Sequence, residues 1–344
     1  MYLRIFLRLW FAICFACLMV FAQTTRAQGP RASETTPPAL QYWVDFDPGC
    51  SGSFYEDVDD CWAFLYFLSR SPIALAGVST VFGNTSGELA FRNARRWLFQ
   101  VQQSHPDVAL PDLYRGRSLP VNLSGEMTPA ESALQTQLAR SPDQSMTLIL
   151  MGPASNAASI LKTQPKLVKK VRRIVMLGGQ FRGDAHWIPV NGRLRMRDYN
   201  VMKDPLAVQW LLETGIPIDF IPVTAAFAHL LNAEKLAGSG LRGSAVEWLK
   251  KESLSWERFW RWGFGMDGFP AFDLLAAALV LEPEKFTCKR YDAVMGNFPN
   301  WVGRAPGLLF VSTPVNTNSG ALYQRCELTR GKVLDLLKSV AKAQ

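Results

Sequence analysis

Four carboxylates crowd one short stretch of this chain. Asp45-Phe-Asp47-Pro-Gly49 is followed after a polar interval by Asp59-Asp60. Like charges so close are costly unless a cation neutralises them, and hard carboxylate oxygens suit Ca²⁺ or Mg²⁺. Each residue alone has a plainer use: Asp59 can cap a helix, and Asp47 can open a turn before Pro48. Further polar groups recur where apolar runs end. Asn84 closes Val78-Ser-Thr-Val-Phe-Gly-Asn84, Asn156 follows Met151-Gly-Pro-Ala-Ser, and Asp198-Tyr199-Asn200 follows the long segment after Gly179. The Met151 side chain has no hard oxygen, so its backbone carbonyl is the candidate group there. No Cys-x-x-Cys spacing or His/Cys cluster occurs, which argues against zinc.

Those residues need elements to place them. Short β-rich apolar runs alternate with helix-period segments, the pattern of an α/β fold with an open, mostly parallel, Rossmann-like sheet flanked by helices. Strands are expected over 41–46, 74–80, 146–151, 173–177 and 218–223, with helices over 60–70, 87–103, 129–139, 156–163 and 205–214. Beyond Leu230 the reading is mainly helical, over 244–262 and 270–281. Two late strands near 291–295 and 308–311 precede a closing helix over 327–342. Ligands of open α/β sheets bind beyond the carboxyl ends of the strands, where the aspartates and asparagines fall.

Composition is ordinary for a globular chain: 344 residues, 48% hydrophobic and 19% charged. The net charge of +8 does not point to nucleic acid. Arg4, Arg8 and Arg26 lie in a segment expected to be removed, and the run Lys166-Leu-Val-Lys-Lys-Val-Arg-Arg173 reads as a solvated helix face. Arg4 and Arg8 precede an apolar run from Leu9 to Phe21 and a small-residue site at Thr25-Arg-Ala27, so residues 1–27 read as a secretory signal peptide. Residues 28–38 read as a flexible leader and 39–344 as the folded domain. The expected product is an exported protein, periplasmic or secreted, with no stable membrane partner. Cys50, Cys61, Cys288 and Cys326 then remain in an oxidising compartment. Three pairings exist, and short separation favours Cys50–Cys61 with Cys288–Cys326.

In this order the motifs closely resemble the inosine–uridine nucleoside hydrolase family, whose opening signature is Asp-x-Asp-Pro-Gly-x-Asp-Asp-Ala. The resemblance runs from about Gln41 to Glu284 and includes Gly77-Val-Ser-Thr-Val-Phe-Gly-Asn84 with Arg92-Asn93 one helix later. It implies calcium-dependent hydrolysis of the N-glycosidic bond of ribonucleosides to ribose and free base. By the same resemblance Asp47 contacts calcium and takes the proton of the attacking water, and Asp60 is a bidentate calcium ligand. The Met151 carbonyl and Asp273 complete the protein's ligands. Asp59, Asn84, Asp198 and Asn200 match ribose-contacting positions, with Tyr199 against the base. The implied partner is a small-molecule ribonucleoside, and a homo-oligomer is compatible with the sequence.

Three departures stand out. Cys50 to Val58 replaces the single residue usual between Pro-Gly and Asp-Asp, so this insertion must loop out, and Asp57 or Glu56 can join the ligands. Phe272 precedes Asp273 where relatives often carry the histidine that protonates a departing purine; His186, in the enlarged segment 180–197, is a substitute donor. Asp198 replaces a glutamate, with Asp184 and Asn191 as further candidate contacts. The tract Trp256 to Phe264 reads as a packed amphipathic helix from which Trp262 or Phe264 can stack on a base. Two alternatives follow from Phe272 and the insertion: a catalytically impaired, calcium-dependent nucleoside- or sugar-binding protein, or a hydrolase of another ribosyl-type glycoside.

Overall fold

The computed structural model describes residues 39–50, 56–69, 75–123, 125–181, 187–188, 194–195, 198–300, 303–311 and 323–341. The signal and leader expected over 1–38 lie outside the described residues, as do Asp184, His186 and Asn191.

The central sheet has eight strands. In chain order they are β1 (Gln41–Phe46), β2 (Leu75–Thr80), β3 (Leu113–Arg115), β4 (Met146–Leu150), β5 (Val171–Leu177), β6 (Ile218–Ile221), β7 (Phe286–Arg290) and β8 (Tyr323–Leu328). They lie side by side as β7-β8-β6-β5-β4-β1-β2-β3. All neighbours are parallel except the edge pair β7 and β8. β4 is buried at every position, as a parallel strand covered on both faces must be. Alternation along the strands feeds two cores: Val44, Phe46, Ile149 and Val175 face one, while Trp43, Leu148, Leu150 and Ile174 face the other.

On the first face, α1 (Asp59–Leu68) packs against α8 (Phe272–Leu281), and all but the last residue of each is buried. α2 (Gly87–Ser104) and α7 (Ser244–Phe264) pack beside them. The second face carries α3 (Pro129–Arg140), α4 (Ser155–Thr163) and α6 (Pro205–Glu213), the last preceded by the short α5 (Tyr199–Lys203). Local chemistry sets their starts. Ser86 caps α2 by accepting from the Leu89 N–H, Thr128 and Glu131 form a capping box on α3, and Asp204 caps α6. Gly265 ends α7 in the left-handed conformation at φ 65°.

The sheet class agrees with the sequence, and the ends of the early elements agree to within two residues. β3, β7 and β8 were not anticipated, and Glu327 and Leu328 belong to β8 rather than to a helix over 327–342; α9 spans Val333–Ala341. Pairing with both β6 and β7, together with the Cys288–Cys326 disulfide, holds β8 extended. The late strands near 291–295 and 308–311 are parts of one longer hairpin, Asp292–Asn300 with Gly303–Val311. Lys169 and Lys170 sit on a 3-10 turn and pair with Asp143, but Arg173 is already in β5 and pairs with Asp219. Cys50–Cys61 is the second disulfide. Among the described residues no helix is long and apolar enough to cross a membrane.

Candidate active site

Two helix N-termini meet beyond the carboxyl end of β1. Asp59 and Asp60 occupy the first turn of α1 and Asp273 the first turn of α8, and one carboxylate oxygen from each lies within 4.8 Å of the others. The Asp273 N–H donates to Asp59 Oδ2 at 2.9 Å. Free N–H groups and the helix dipole favour one acid at each such terminus, but three close carboxylates exceed what they compensate.

Asp47 joins the group through Asn84. The Asn84 backbone N–H donates to Asp47 Oδ2 at 2.6 Å, and its side-chain amide lies 3.5 Å from Asp47 Oδ1 and 3.4 Å from Asp60 Oδ2. The loop after β2 closes so tightly that a Cβ at Gly83 would stand 1.8 Å from Asp47 Oδ2, and one at Gly152 would stand 3.0 Å from Asp47 Oδ1. The insertion delivers a further acid. Asp57 is buried and accepts the Asp59 N–H at 3.0 Å, while Gly49 is pressed against the Asp57 backbone.

Burial pushes the Asp47 carboxyl up to about 8, with repulsion from Asp59 and Asp45 adding to it and the Asn84 N–H opposing. Asp57, Asp60 and Asp273 are held well above the ordinary carboxylate range, first by burial and then by their acidic neighbours. Asp45 rises to about 7 through burial, opposed by hydrogen bonds from Ser79 at 2.7 Å and Asn156 at 2.9 Å. One oxygen each of Asp59, Asp60 and Asp273 is buried with no hydrogen-bond partner. Unpartnered buried acceptors are costly, and convergent hard oxygens of this kind fit a divalent cation.

A cavity of about 360 Å³ opens beside the acids. Asp57, Asn84, Met151, Asp198, Tyr199, Asn200 and Asp273 form its polar side. The Met151 carbonyl accepts the Asn200 side-chain amide at 2.6 Å, and the Tyr199 hydroxyl donates to the Gly83 carbonyl at 3.2 Å. Asp198 caps α5, accepting from the N–H groups of Gly179 at 2.6 Å and Val201 at 3.1 Å; burial lifts it to about 6 against those bonds.

The apolar side consists of Leu177, Val223, Trp256, Phe259, Trp260, Phe264 and Phe272. Of the two aromatic residues singled out in the sequence, Phe264 lines this wall, whereas Trp262 is 71% exposed and lies outside it. Trp256, Phe259, Trp260 and Phe264 recur at helix spacing along one face of α7, the signal that marks this wall in the sequence.

An open parallel sheet with an acid cluster at its carboxyl edge and an aromatic cleft beside it is the ligand-site arrangement of an α/β protein that binds at its strand ends. The sequence model of the family described as Inosine-uridine preferring nucleoside hydrolase matches residues 42–297, and the chain belongs to that family. It is 26% identical over 272 residues to the pyrimidine-specific ribonucleoside hydrolase RihA of Enterobacter sp., covering 72% of this chain and 81% of that one. The Klebsiella pneumoniae protein of the same name is 27% identical over 273 residues, covering 72% and 82%. Among solved structures, a purine-preferring ribonucleoside hydrolase from Gardnerella vaginalis superposes with TM-score 0.65 at 19% identity, over 88% of this chain and all of that one. An inosine-uridine preferring nucleoside hydrolase from Bacillus anthracis gives 0.63 at 18%, over 89% and 100%. These structures share the fold.

Proposed function

We propose that this chain hydrolyses the N-glycosidic bond of ribonucleosides to ribose and free base in a calcium-dependent manner. The observation that carries the reading is the set of buried, unpartnered oxygens on Asp59, Asp60 and Asp273 beside a cavity of nucleoside size. Asp47, Asp60, Asp273 and the Met151 carbonyl would hold the ion. When bound, calcium supplies Lewis-acid polarisation of sugar hydroxyls and of the attacking water.

Asp47 is the general base. Its position is fixed by Asn84 and by the lack of room at Gly83, and its carboxylate takes the water's proton as oxygen attacks C1′. Asp59, Asn84, Asp198 and Asn200 hold the ribose hydroxyls. Backbone bonds to Asp198 and the Asn200 bond to Met151 leave a carboxylate lone pair and an amide oxygen to accept them. Tyr199 and Phe272 border the base. Fixing the ring while holding negative charge near a developing oxocarbenium centre is what this reaction requires.

Export is part of the proposal. It is supported by Arg4 and Arg8 before the apolar run, by Thr25-Arg-Ala27, and by two disulfides of a kind that persist in an oxidising compartment.

Ribose release from uridine and inosine, assayed by reducing sugar with calcium and with EGTA, tests the reading. Release that requires calcium and disappears in Asp47→Ala supports it. Nucleoside binding without any release would replace it with a non-catalytic binding protein.

A further inference from the structure

We propose that the base subsite is built for nucleosides whose base carries a positive charge, such as a pyridinium or an N7-alkylated purine. This deepens the hydrolase reading and rests on it.

The first argument is proton balance. When the C1′–N bond of a neutral nucleoside breaks, its electron pair goes to the base, which leaves as an anion unless an acid protonates it. Among the described residues, the wall formed by Leu177, Trp256, Phe259, Trp260, Phe264 and Phe272 offers no such acid. The indole nitrogens of Trp256 and Trp260 are themselves buried. Tyr199, on the polar side, gives its hydroxyl hydrogen to the Gly83 carbonyl.

A cationic base removes the difficulty. The same electron pair cancels the charge on the ring nitrogen, and the base departs neutral. Water oxygen forms the new bond to C1′, and one water proton goes to Asp47 and then to solvent. Every atom and electron is placed without a proton donor on the base side.

The second argument is electrostatic and independent of the first. Among the described residues, Asp57, Asp198 and Asp273 line the cavity and no lysine or arginine does. The rings opposite them form a continuous set: Trp256 stacks on Phe259 at 4.8 Å between centroids, Phe259 meets Phe264 at 5.4 Å, and Trp260 lies 4.8 Å from Phe264 and 5.9 Å from Phe272. Ring faces attract cations, and the attraction grows where water is excluded.

Matched pairs test this in the calcium-loaded protein: 7-methylguanosine against guanosine, and the riboside of nicotinamide against uridine, with p-nitrophenyl riboside as reference. The expected kcat/KM ratio favours each cation by ~100-fold or more. Because alkylated nucleosides are more labile, binding is read separately, as quenching of tryptophan fluorescence in Asp47→Asn. Should that variant fail to fold, inhibition of p-nitrophenyl riboside cleavage by wild-type protein replaces it. Binding of each cation ~10-fold tighter than its neutral partner is expected. Phe272→His should narrow the kcat/KM ratio by supplying a proton to neutral bases. Equal binding and equal kcat/KM for charged and neutral partners, with p-nitrophenyl riboside cleaved, would overturn the inference and leave the hydrolase reading standing. No ribose from any substrate would remove the hydrolase reading itself.

Discussion

Asp59 and Asp273, 214 positions apart, are joined by a 2.9 Å hydrogen bond from the Asp273 N–H to Asp59 Oδ2. That contact ties the N-terminus of α8 to that of α1 and places two first-turn acids side by side. Opposed carboxylates at the meeting point of two buried helices make the centre unstable when empty and receptive to a cation.

Removing one of those charges should therefore separate stability from activity. In EGTA, Asp60→Asn is expected to raise the stability of the metal-free protein by roughly 1–3 kcal/mol, since a carboxyl that burial and its acidic neighbours keep from ionising gives way to a neutral amide. The same variant should lose the stabilisation by added calcium and nearly all turnover. Thermal melts with and without calcium, paired with ribose release, check both; a lowered metal-free Tm would contradict the assignment of strain to this residue.

The metal-free protein should also become less stable as pH rises. Asp47, pushed up to about 8, keeps its proton in the fold over the range from about pH 4 to 8, where the unfolded chain releases it. The folded state then binds more protons, so stability is fully present below about pH 4 and is lost as pH climbs towards 8, by at most about 1.4 kcal/mol per pH unit for each proton. Asp57, Asp60 and Asp273 shift in the same direction. Melting curves in EGTA between pH 5 and about 8.5 read the slope, and saturating calcium should flatten or reverse it.

Gly83 is predicted to be irreplaceable for catalysis. An alanine Cβ would fall 1.8 Å from Asp47 Oδ2, so either the carboxylate or the loop must move. Misplacing a base by about an ångström costs on the order of 10²-fold in kcat. Gly83→Ala should show that loss while its circular dichroism stays that of the parent.

The two disulfides should differ in consequence. Cys50–Cys61 closes the insertion that carries Asp57 up to Asp59 and Asp60, so replacing both cysteines by serine is expected to cost about 2–3 kcal/mol and to weaken calcium binding. Cys288–Cys326 joins β7 to β8 at the sheet edge; its loss should lower Tm and leave calcium affinity nearly unchanged. Calorimetric titration of calcium into each double variant distinguishes them.

Hydrophobic periodicity and turn residues are local properties, and what they govern was readable from the chain alone: the parallel α/β class, most helix and strand positions, and the placing of Asp47, Asn84 and Met151 just after strands. Which distant residues meet is not local. β1 lies between β2 and β4, so the loops after all three close around Asp47, and only that order brings Asn84 and Gly152 to it. The packing of α8 on α1 decided that Asp273 stands with Asp59 and Asp60, and the close approach of Gly49 to the Asp57 backbone, with the Asp59 N–H on the Asp57 carboxyl, decided that Asp57 joins them. β8 escaped the sequence reading because its extended form depends on β6, β7 and a disulfide rather than on its own residues. The aromatic wall followed the same logic: the spacing of Trp256, Phe259, Trp260 and Phe264 gave one helix face, and tertiary packing turned that face towards the acids.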